Sequence, residues 1–325
     1  MTQTYNENST EASLVETVDL KKYFKVRGGI LHAVDGVSIK ISKGKTLGIV
    51  GESGCGKSTL GRTILRLLEP TSGDIKYKGK SIVNYNKGEM REMRKKMQII
   101  FQDPYSSINP RMSVIEIIAE FMIVNKIYEN KKECFNQAVK IMDTVGLAGR
   151  YANIYPHELD GGRRQRIGIA RALSLQPEFI VCDEPVSALD VSIQAQILNL
   201  LMDLQEERGL AYIFITHDLS VVKHISNEIL VMYLGKCVEK AKSTQLFANP
   251  RHPYTRALLA AIPVPDISMR NKRTDIIKGE VTNPINPEAC CRFAGRCDNC
   301  EKICTQAEPE FKEKEKDHFV ACHFA

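Results

Sequence analysis

No apolar run in this 325-residue chain approaches the roughly 18 residues that a membrane-spanning helix needs, so hydropathy excludes a helical span. The first residues, MTQTYNENSTEASL, are polar and lack the basic-then-apolar layout of a secretory leader. The expectation is a chain that stays in the cytoplasm. There is no internal repeat and no low-complexity tract. A strong charge of one sign is missing too. The net charge of +6 is mild, and it does not by itself select anionic lipid or nucleic acid as a partner. With 43% apolar and 26% charged residues, the composition is that of a globular protein with one large domain or two smaller ones.

What is present is unevenly placed. Of the ten cysteines, Cys55, Cys134, Cys182 and Cys237 are scattered, whereas Cys290, Cys291, Cys297, Cys300, Cys304 and Cys322 crowd the end. In a reducing compartment such crowding favours a metal or cluster site over disulfides. Residues 37–41, VSIKI, alternate as a half-buried strand does. Short unbroken apolar runs at 46–50, 97–101, 179–182, 212–216 and 229–233 suit strands buried on both faces of a largely parallel sheet. After Lys57, residues Leu60, Ile64, Leu67 and Leu68 share one helical face. Ser113 and Glu116 form a plausible capping box ahead of the apolar segment VIEIIAEFMIV. Roughly 103–175 reads as a helical insert in an α/β core. Beyond about 248 prolines thicken (Pro250, Pro253, Pro263, Pro265, Pro284, Pro287) and the cysteine-rich tail follows.

Residues 51–59, GESGCGKST, fit the phosphate-loop pattern G-x-x-x-x-G-K-[ST], directly after a strand and before a helix. Glycines let backbone amides converge on phosphate oxygens. Lys57 can reach the β- and γ-phosphates, and the Ser58 hydroxyl can ligate Mg²⁺. At 179–184, FIVCDE is an apolar strand ending in two acids. Alone these would read as a solvated strand end. Paired with the loop, Asp183 suits a water-mediated Mg²⁺ ligand and Glu184 a group that polarises the attacking water. His217 ends another strand on the same carboxyl edge, where ligands of open α/β sheets bind. A lone histidine there is more often structural. The neighbours HDLS and the order of elements favour the functional reading.

With these motifs in place, nearly the whole chain resembles the ATP-binding subunits of ABC transporters. GESGCGKST is similar to Walker A, FQ at 101–102 to the Q-loop, LDGGR at 159–163 to the signature, FIVCDE to Walker B, SALD at 187–190 to the D-loop and His217 to the switch histidine. The stretches DPYSSINPRMS at 103–113 and PRHPYTRALLAAIP at 250–263, with the cysteine tail, resemble the oligopeptide, dipeptide and nickel import subfamily. The implied fold is an α/β P-loop nucleotide-binding domain with a mostly parallel sheet core, an antiparallel β subdomain, a helical insert and a small Cys-rich C-terminal extension. The implied boundaries are a polar tail at 1–14, an ATPase domain at 15–250 and the extension at 251–325.

The resemblance implies roles by position. ATP would be held by Gly51, Glu52, Ser53, Gly54, Cys55, Gly56, Lys57, Ser58 and Thr59, its adenine stacked on Phe24 or the adjacent Tyr23. Mg²⁺ would be held by Ser58, Gln102 and Asp183, with hydrolysis resting on Glu184, His217, Gln102 and Lys57. Leu159, Asp160, Gly161, Gly162, Arg163 and Asp190 would lie at a dimer seam, facing ATP held by the opposite subunit. The family pattern there is L-S-G-G-Q, in which the serine donates to the γ-phosphate. An ionised Asp160 cannot donate. At about 4 Å from a phosphate charge it would repel by roughly 1 kcal/mol in water and about 4 at an effective dielectric of 20. Arg163 can offset part of that, and Asp160 also suits the N-cap of the following helix. Both can hold at once. The resulting expectation is a heterodimer with a paralogous ATPase and one weakened composite site.

Similar tails can hold a four-iron, four-sulfur cluster through four thiolates. Cys291, Cys297, Cys304 and Cys322, separated by five, six and seventeen residues, are the candidates. Cys290, Cys300 and His323 are spare, and the spacing does not exclude zinc or free thiols. A structural clasp for a small tail is the plainer role. The implied partners are two transmembrane permease subunits, a paralogous ATP-binding subunit and, indirectly, an extracytoplasmic substrate-binding protein, at the cytoplasmic face of the membrane and without nucleic acid. Import of nickel or another small solute, and a non-transport ABC ATPase, are the alternatives. The latter usually carries two cassettes or a long coiled coil, and neither is found here.

Overall fold

Every residue of β3 (Thr46–Val50), β7 (Phe179–Asp183) and β8 (Ala211–Ile215) is buried, which is why their sequences show no polar alternation. The computed structural model describes residues 13–262 and 284–325. Residues 1–12 of the polar N-terminal stretch lie outside the described residues, as do Pro263 and Pro265.

These strands form the centre of an eight-stranded sheet of order β11-β12-β10-β9-β3-β8-β7-β6. It is completed by β6 (Met97–Ile100), β9 (Glu228–Tyr233), β10 (Lys236–Lys242), β11 (Lys312–Glu315) and β12 (His318–Val320). The pairs from β9 through β3, β8 and β7 to β6 are parallel, and the rest are antiparallel. A second, antiparallel sheet of order β2-β1-β4-β5 comprises β1 (Ser13–Val26), β2 (Gly29–Ser42), β4 (Ser72–Tyr77) and β5 (Lys80–Ser81). The alternating stretch 37–41 is the end of β2. That strand runs back to Gly29, because Gly28 and Gly29 adopt positive φ and turn the chain from β1 into it.

One core lies between the sheets, where Leu60 and Ile64 of α1 (Lys57–Ile64) meet Leu20, Val34 and Ile49. A second holds the helices between β6 and β7. These are α3 (Pro104–Ser107), α4 (Val114–Val124), α5 (Lys131–Thr144) and α6 (Gly161–Leu173); α2 (Lys87–Lys96) precedes β6. Glu116 accepts bonds from both the amide and the hydroxyl of Ser113 at 2.8 Å, the side-chain half of the box expected at the start of α4. Buried α7 residues (Val191–Arg208) such as Leu201 join this core from beneath the sheet.

The third core joins α8 (Leu219–Ile225), α9 (Ser243–Ala248) and α10 (Pro253–Ala260) to β9, β10 and Phe293 of the tail. Here the fully buried Glu239 of β10 accepts from the amides of Arg251 (2.8 Å) and His252 (3.0 Å) and from His318 Nε2 (2.7 Å). A buried carboxylate is costly unless its oxygens are satisfied. Here three donors from two distant segments satisfy it, which ties the tail to the sheet.

His252 caps α10 by accepting from the Tyr254 amide. Burial, opposed by a backbone bond at Ala321 and reinforced by Arg256, pushes it down to about 4 from an ordinary 6.5. The unfolded chain therefore binds a proton near pH 6.5 that the folded chain refuses until about 4, so stability is lost as the pH falls across that window. Urea unfolding should show a loss of about 2 kcal/mol attributable to this site between pH 7 and pH 5. His252→Asn, which keeps an acceptor at the cap, should flatten that slope; an unchanged slope contradicts the assignment.

Candidate functional site

The parallel strands all end on one edge of the sheet, and four of them deliver polar side chains there. The loop 51–56 follows β3, Gln102 follows β6, Asp183 and Glu184 end and follow β7, and His217 follows β8. In a parallel sheet the carboxyl ends share an edge by construction, so residues such as Gln102 and Glu184, 82 positions apart, become neighbours.

The loop has its shape because two of its glycines cannot be replaced. Gly51 and Gly56 have φ of 151° and 103°. A Cβ would lie 2.2 Å from the Met232 carbonyl oxygen at the first and 2.0 Å from that of Ala33 at the second. Gly56 opens α1 without a side-chain cap, and no acid occupies the first turn, so the amides and the helix dipole stay available to an anion. The Lys57 ammonium donates to the carbonyls of Gly51 (2.7 Å) and Glu52 (3.0 Å). Burial, opposed by Lys57, raises the Cys55 thiol, so Cys55 serves as a packed apolar group.

Two constellations stand beside the loop. In the first, Ser58 Oγ donates to Asp183 Oδ1 (2.5 Å), and Arg62 donates to Asp183 Oδ2 (3.2 Å). This oxygen-only pair suits a hard cation such as Mg²⁺. In the second, the Gln102 amide donates to Glu184 Oε2 (2.9 Å), and His217 Nδ1 lies 3.4 Å from the same oxygen. Gln102 thus bonds to Glu184, in the second constellation, and not to the Ser58–Asp183 pair. Glu184 sits at φ 49°, and its amide donates to the Ile215 carbonyl at 3.0 Å. That left-handed conformation costs of order 1–3 kcal/mol in a residue other than glycine, and β8 holds it in place. A carboxylate oriented by an amide and an imidazole can accept a proton from, or align, a water molecule.

At the far end, Tyr23 and Phe24 project to opposite faces of β1. The Tyr23 ring stacks on His32 at 3.9 Å, and its hydroxyl donates to Asp35 at 2.5 Å. Burial and then this bond raise the Tyr23 hydroxyl. Burial acts to raise Asp35 as well, but Tyr23, Lys236, His32 and Arg292 prevail and hold it at about 2. Tyr23 is therefore engaged within the chain. Phe24, with the Lys22 ammonium 4.8 Å from its ring centre, lies on the other face.

The signature residues stand apart from the loop. Asp160 caps α6 by accepting from the Arg163 amide at 2.8 Å, and its other oxygen pairs with the Arg163 guanidinium, which also lies over Tyr151. A Cβ on Gly162 would lie 2.7 Å from Ile193 Cγ2, and one on Gly161 3.1 Å from Leu189 Cδ2. The glycines thus let α6 approach the segment around Asp190. Leu159 is buried beneath them. Asp190 precedes α7 without a side-chain cap bond, and the next residue, Val191, is 82% exposed.

Cys291, Cys297, Cys304 and Cys322 line one cavity together with Phe293 and His323, and Cys290 and Cys300 do not. Burial, together with Cys304, Cys322 and Cys297, pushes Cys291 up to about 11 against a backbone bond at Phe293. Among the described residues, no group of three or more His, Cys, Asp or Glu is placed to hold a single metal ion. No helix of the described residues is long and apolar enough to cross a membrane.

The sequence reading missed three participants. Arg62 lies one helical turn after Ser58 and was open to a periodicity argument. Tyr254, whose hydroxyl accepts from the Glu52 amide (2.8 Å), and Arg296, paired with the Glu52 carboxylate, reach the loop only through the chain's return, with no local signal.

Comparison with known proteins places these features. Residues 34–187 match the family described as ABC transporter, and residues 238–304 match the oligopeptide/dipeptide transporter, C-terminal region. The chain is 50% identical over 312 residues to a putative oligopeptide transport ATP-binding protein, YkfD, of Bacillus subtilis, covering 95% of each. It is 50% identical to the oligopeptide transport ATP-binding protein AppF of the same organism, covering 97% of this chain and 98% of that one. The dipeptide transport ATP-binding protein DppF of Haemophilus influenzae is 46% identical, with 98% of each covered. Among solved structures, a post-hydrolysis dimer of the ATP-binding cassette MJ0796 with ADP and Pi aligns at TM-score 0.65 and 29% identity, over 70% of this chain and 98% of that one. The cbiO1 protein of Clostridium perfringens aligns at TM-score 0.65 and 28% identity, over 74% and 92%.

Proposed function

The chain belongs to the ABC transporter family of ATP-binding proteins, and on that premise we propose that it hydrolyses ATP to power the import of oligopeptides or dipeptides. The observation that carries this reading is the joint presence, in one chain, of the ABC cassette and the oligopeptide/dipeptide C-terminal region, with near full-length similarity to ATP-binding proteins of peptide transport. The partners implied are permease subunits in the membrane. The chain lies on their cytoplasmic face, with the segment after Gln102 near them, and an extracytoplasmic binding protein delivers the peptide.

The chemistry is in-line attack of water on the γ-phosphate. The amides of 51–56 and the Lys57 ammonium bind the phosphates, and Phe24 stacks the adenine. Ser58 and Asp183 would hold Mg²⁺, which supplies neutralisation of developing charge. Glu184, oriented by Gln102 and His217, aligns the water and takes up its proton. In the assembled transporter in vesicles, Glu184→Gln should lower hydrolysis by about a hundredfold or more and abolish ATP-driven uptake of a labelled tripeptide. Undiminished uptake refutes this role, and wild-type uptake of nickel but not peptide assigns the chain to the other substrate class.

The exposed Val191 beside Asp190 supports a dimer seam, and Asp160 is the reason to expect an unlike partner across it. An ionised Asp160 offers no hydroxyl donor to a facing phosphate, and both its carboxylate oxygens are engaged by Arg163. The chain's own loop and Glu184 constellation are complete, so the weakened contact falls on ATP held by a paralogous partner. Asp160→Ser with Arg163→Gln should raise turnover of the assembled complex by about fivefold, the factor that 1 kcal/mol removes. No rise counts against a weakened site.

The four-iron, four-sulfur cluster implied by the resemblance would be held by Cys291, Cys297, Cys304 and Cys322, and what supports it is that these four line one cavity. Its role is to clasp a tail with little apolar core of its own. Anaerobically purified chain should contain iron and acid-labile sulfide at about four of each per chain, both lost in Cys297→Ser. Zinc, or neither metal, would refute the assignment.

A further inference from the structure

The tail returns to the nucleotide cradle through two arginines, one on each side of Phe293–Gly295. Phe293 is buried and anchors the turn, with its ring edge-on to Tyr233 at 5.2 Å and tilted against Tyr254 at 5.4 Å. Arg296 closes a two-pronged pair with the Glu52 carboxylate at 2.7 and 2.9 Å. Its side chain is only 7% exposed, and it also donates to the Tyr233 hydroxyl at 3.3 Å. The Glu52 amide in turn donates to Tyr254 at 2.8 Å, while the Glu52 carbonyl accepts from Lys57. One residue of the phosphate loop is thus held through its carboxylate and its amide by the C-terminal region, and its carbonyl steadies the loop lysine. Arg292, equally buried, pairs with Asp35, the acceptor of the Tyr23 hydroxyl beside Phe24. The strap therefore grips both ends of the cradle.

A carboxylate beside an anion site is unfavourable unless neutralised, and a bidentate guanidinium both neutralises it and fixes its direction. We propose that Arg296 is a positioning residue for ATP binding: by fixing Glu52 it holds the 51–56 loop in its phosphate-facing turn, so the C-terminal tail sets how tightly this chain binds nucleotide. The proposal rests on the reading that ATP occupies the 51–59 loop. It goes beyond that reading by assigning part of the site to a segment 244 residues away along the chain. Because Arg296 directly precedes Cys297, whatever orders the thiol-lined cavity also orders the arginine.

The test is calorimetric titration of the full-length chain with Mg-ATP, at a temperature well below unfolding. Arg296→Ala should weaken binding by about tenfold, the usual effect of losing a charge-assisted bond of this kind. Arg296→Lys, which keeps the charge but loses the fork, should fall between. Glu52→Gln should also weaken binding, and combining it with Arg296→Ala should cost no more than Arg296→Ala alone, because both act through one contact. In the assembled transporter, Arg296→Ala should raise KM for ATP and leave kcat at saturating ATP unchanged. Unchanged affinity in Arg296→Ala, or losses that multiply in the double variant, overturns the proposal. If Arg296→Ala does not fold, Glu52→Gln carries the same test, and unchanged affinity there is equally decisive against it. Wild-type chain that binds no Mg-ATP overturns the reading of the site itself and the proposal with it.

Discussion

The cradle depends on two places where backbone meets backbone with no room for a side chain. Gly51 lies against the Met232 carbonyl and Gly56 against that of Ala33, and these approaches draw the end of β3 toward both β9 and the antiparallel sheet. A methyl group at either position would overlap the facing oxygen, and both backbones are already at positive φ. The curl of the loop, the entry of α1 with bare amides and the seat of Lys57 all follow from that packing.

The groups around the loop separate into two sets. Ser58, Asp183 and Arg62 form an oxygen-rich pair closed by a cation, whereas Gln102, Glu184 and His217 converge on a single carboxylate oxygen. The sets lie on adjacent residues of one strand end, and the two carboxylates take separate partners.

Two acids, one in the signature and one in the phosphate loop, share a physical theme. Asp160 places a carboxylate where a hydroxyl is expected, and Arg163 binds it at once. Glu52 places a carboxylate within the phosphate loop, and Arg296 binds it from the far end of the chain. In each case an acid beside a proposed nucleotide contact is paired with a guanidinium. The first pairing is local, within one helical turn. The second requires the tail, which is itself held by the buried Glu239 and its three donors.

Much of the edge was legible in the residues. Unbroken apolar runs marked β3, β6, β7, β8 and β9 because strands covered on both faces have no solvent side to record. The glycine spacing of 51–59 marked the loop because few other sequences permit such a turn after a strand. The capping box at Ser113 was visible because its bonds span three residues. The long β1 and the full extent of β2 were not legible, since their register shifts interrupt the alternation that marks a strand. By itself, the sequence determined the order of motifs and the residue types at each strand end, because local backbone chemistry and burial dictate both. Only the tertiary structure decided that Tyr23 turns to His32 and Asp35, that Gln102 and His217 meet on one oxygen of Glu184, and that Arg296 closes on Glu52. Those contacts join segments whose separation along the chain carries no periodicity, and they exist only once the strands have paired.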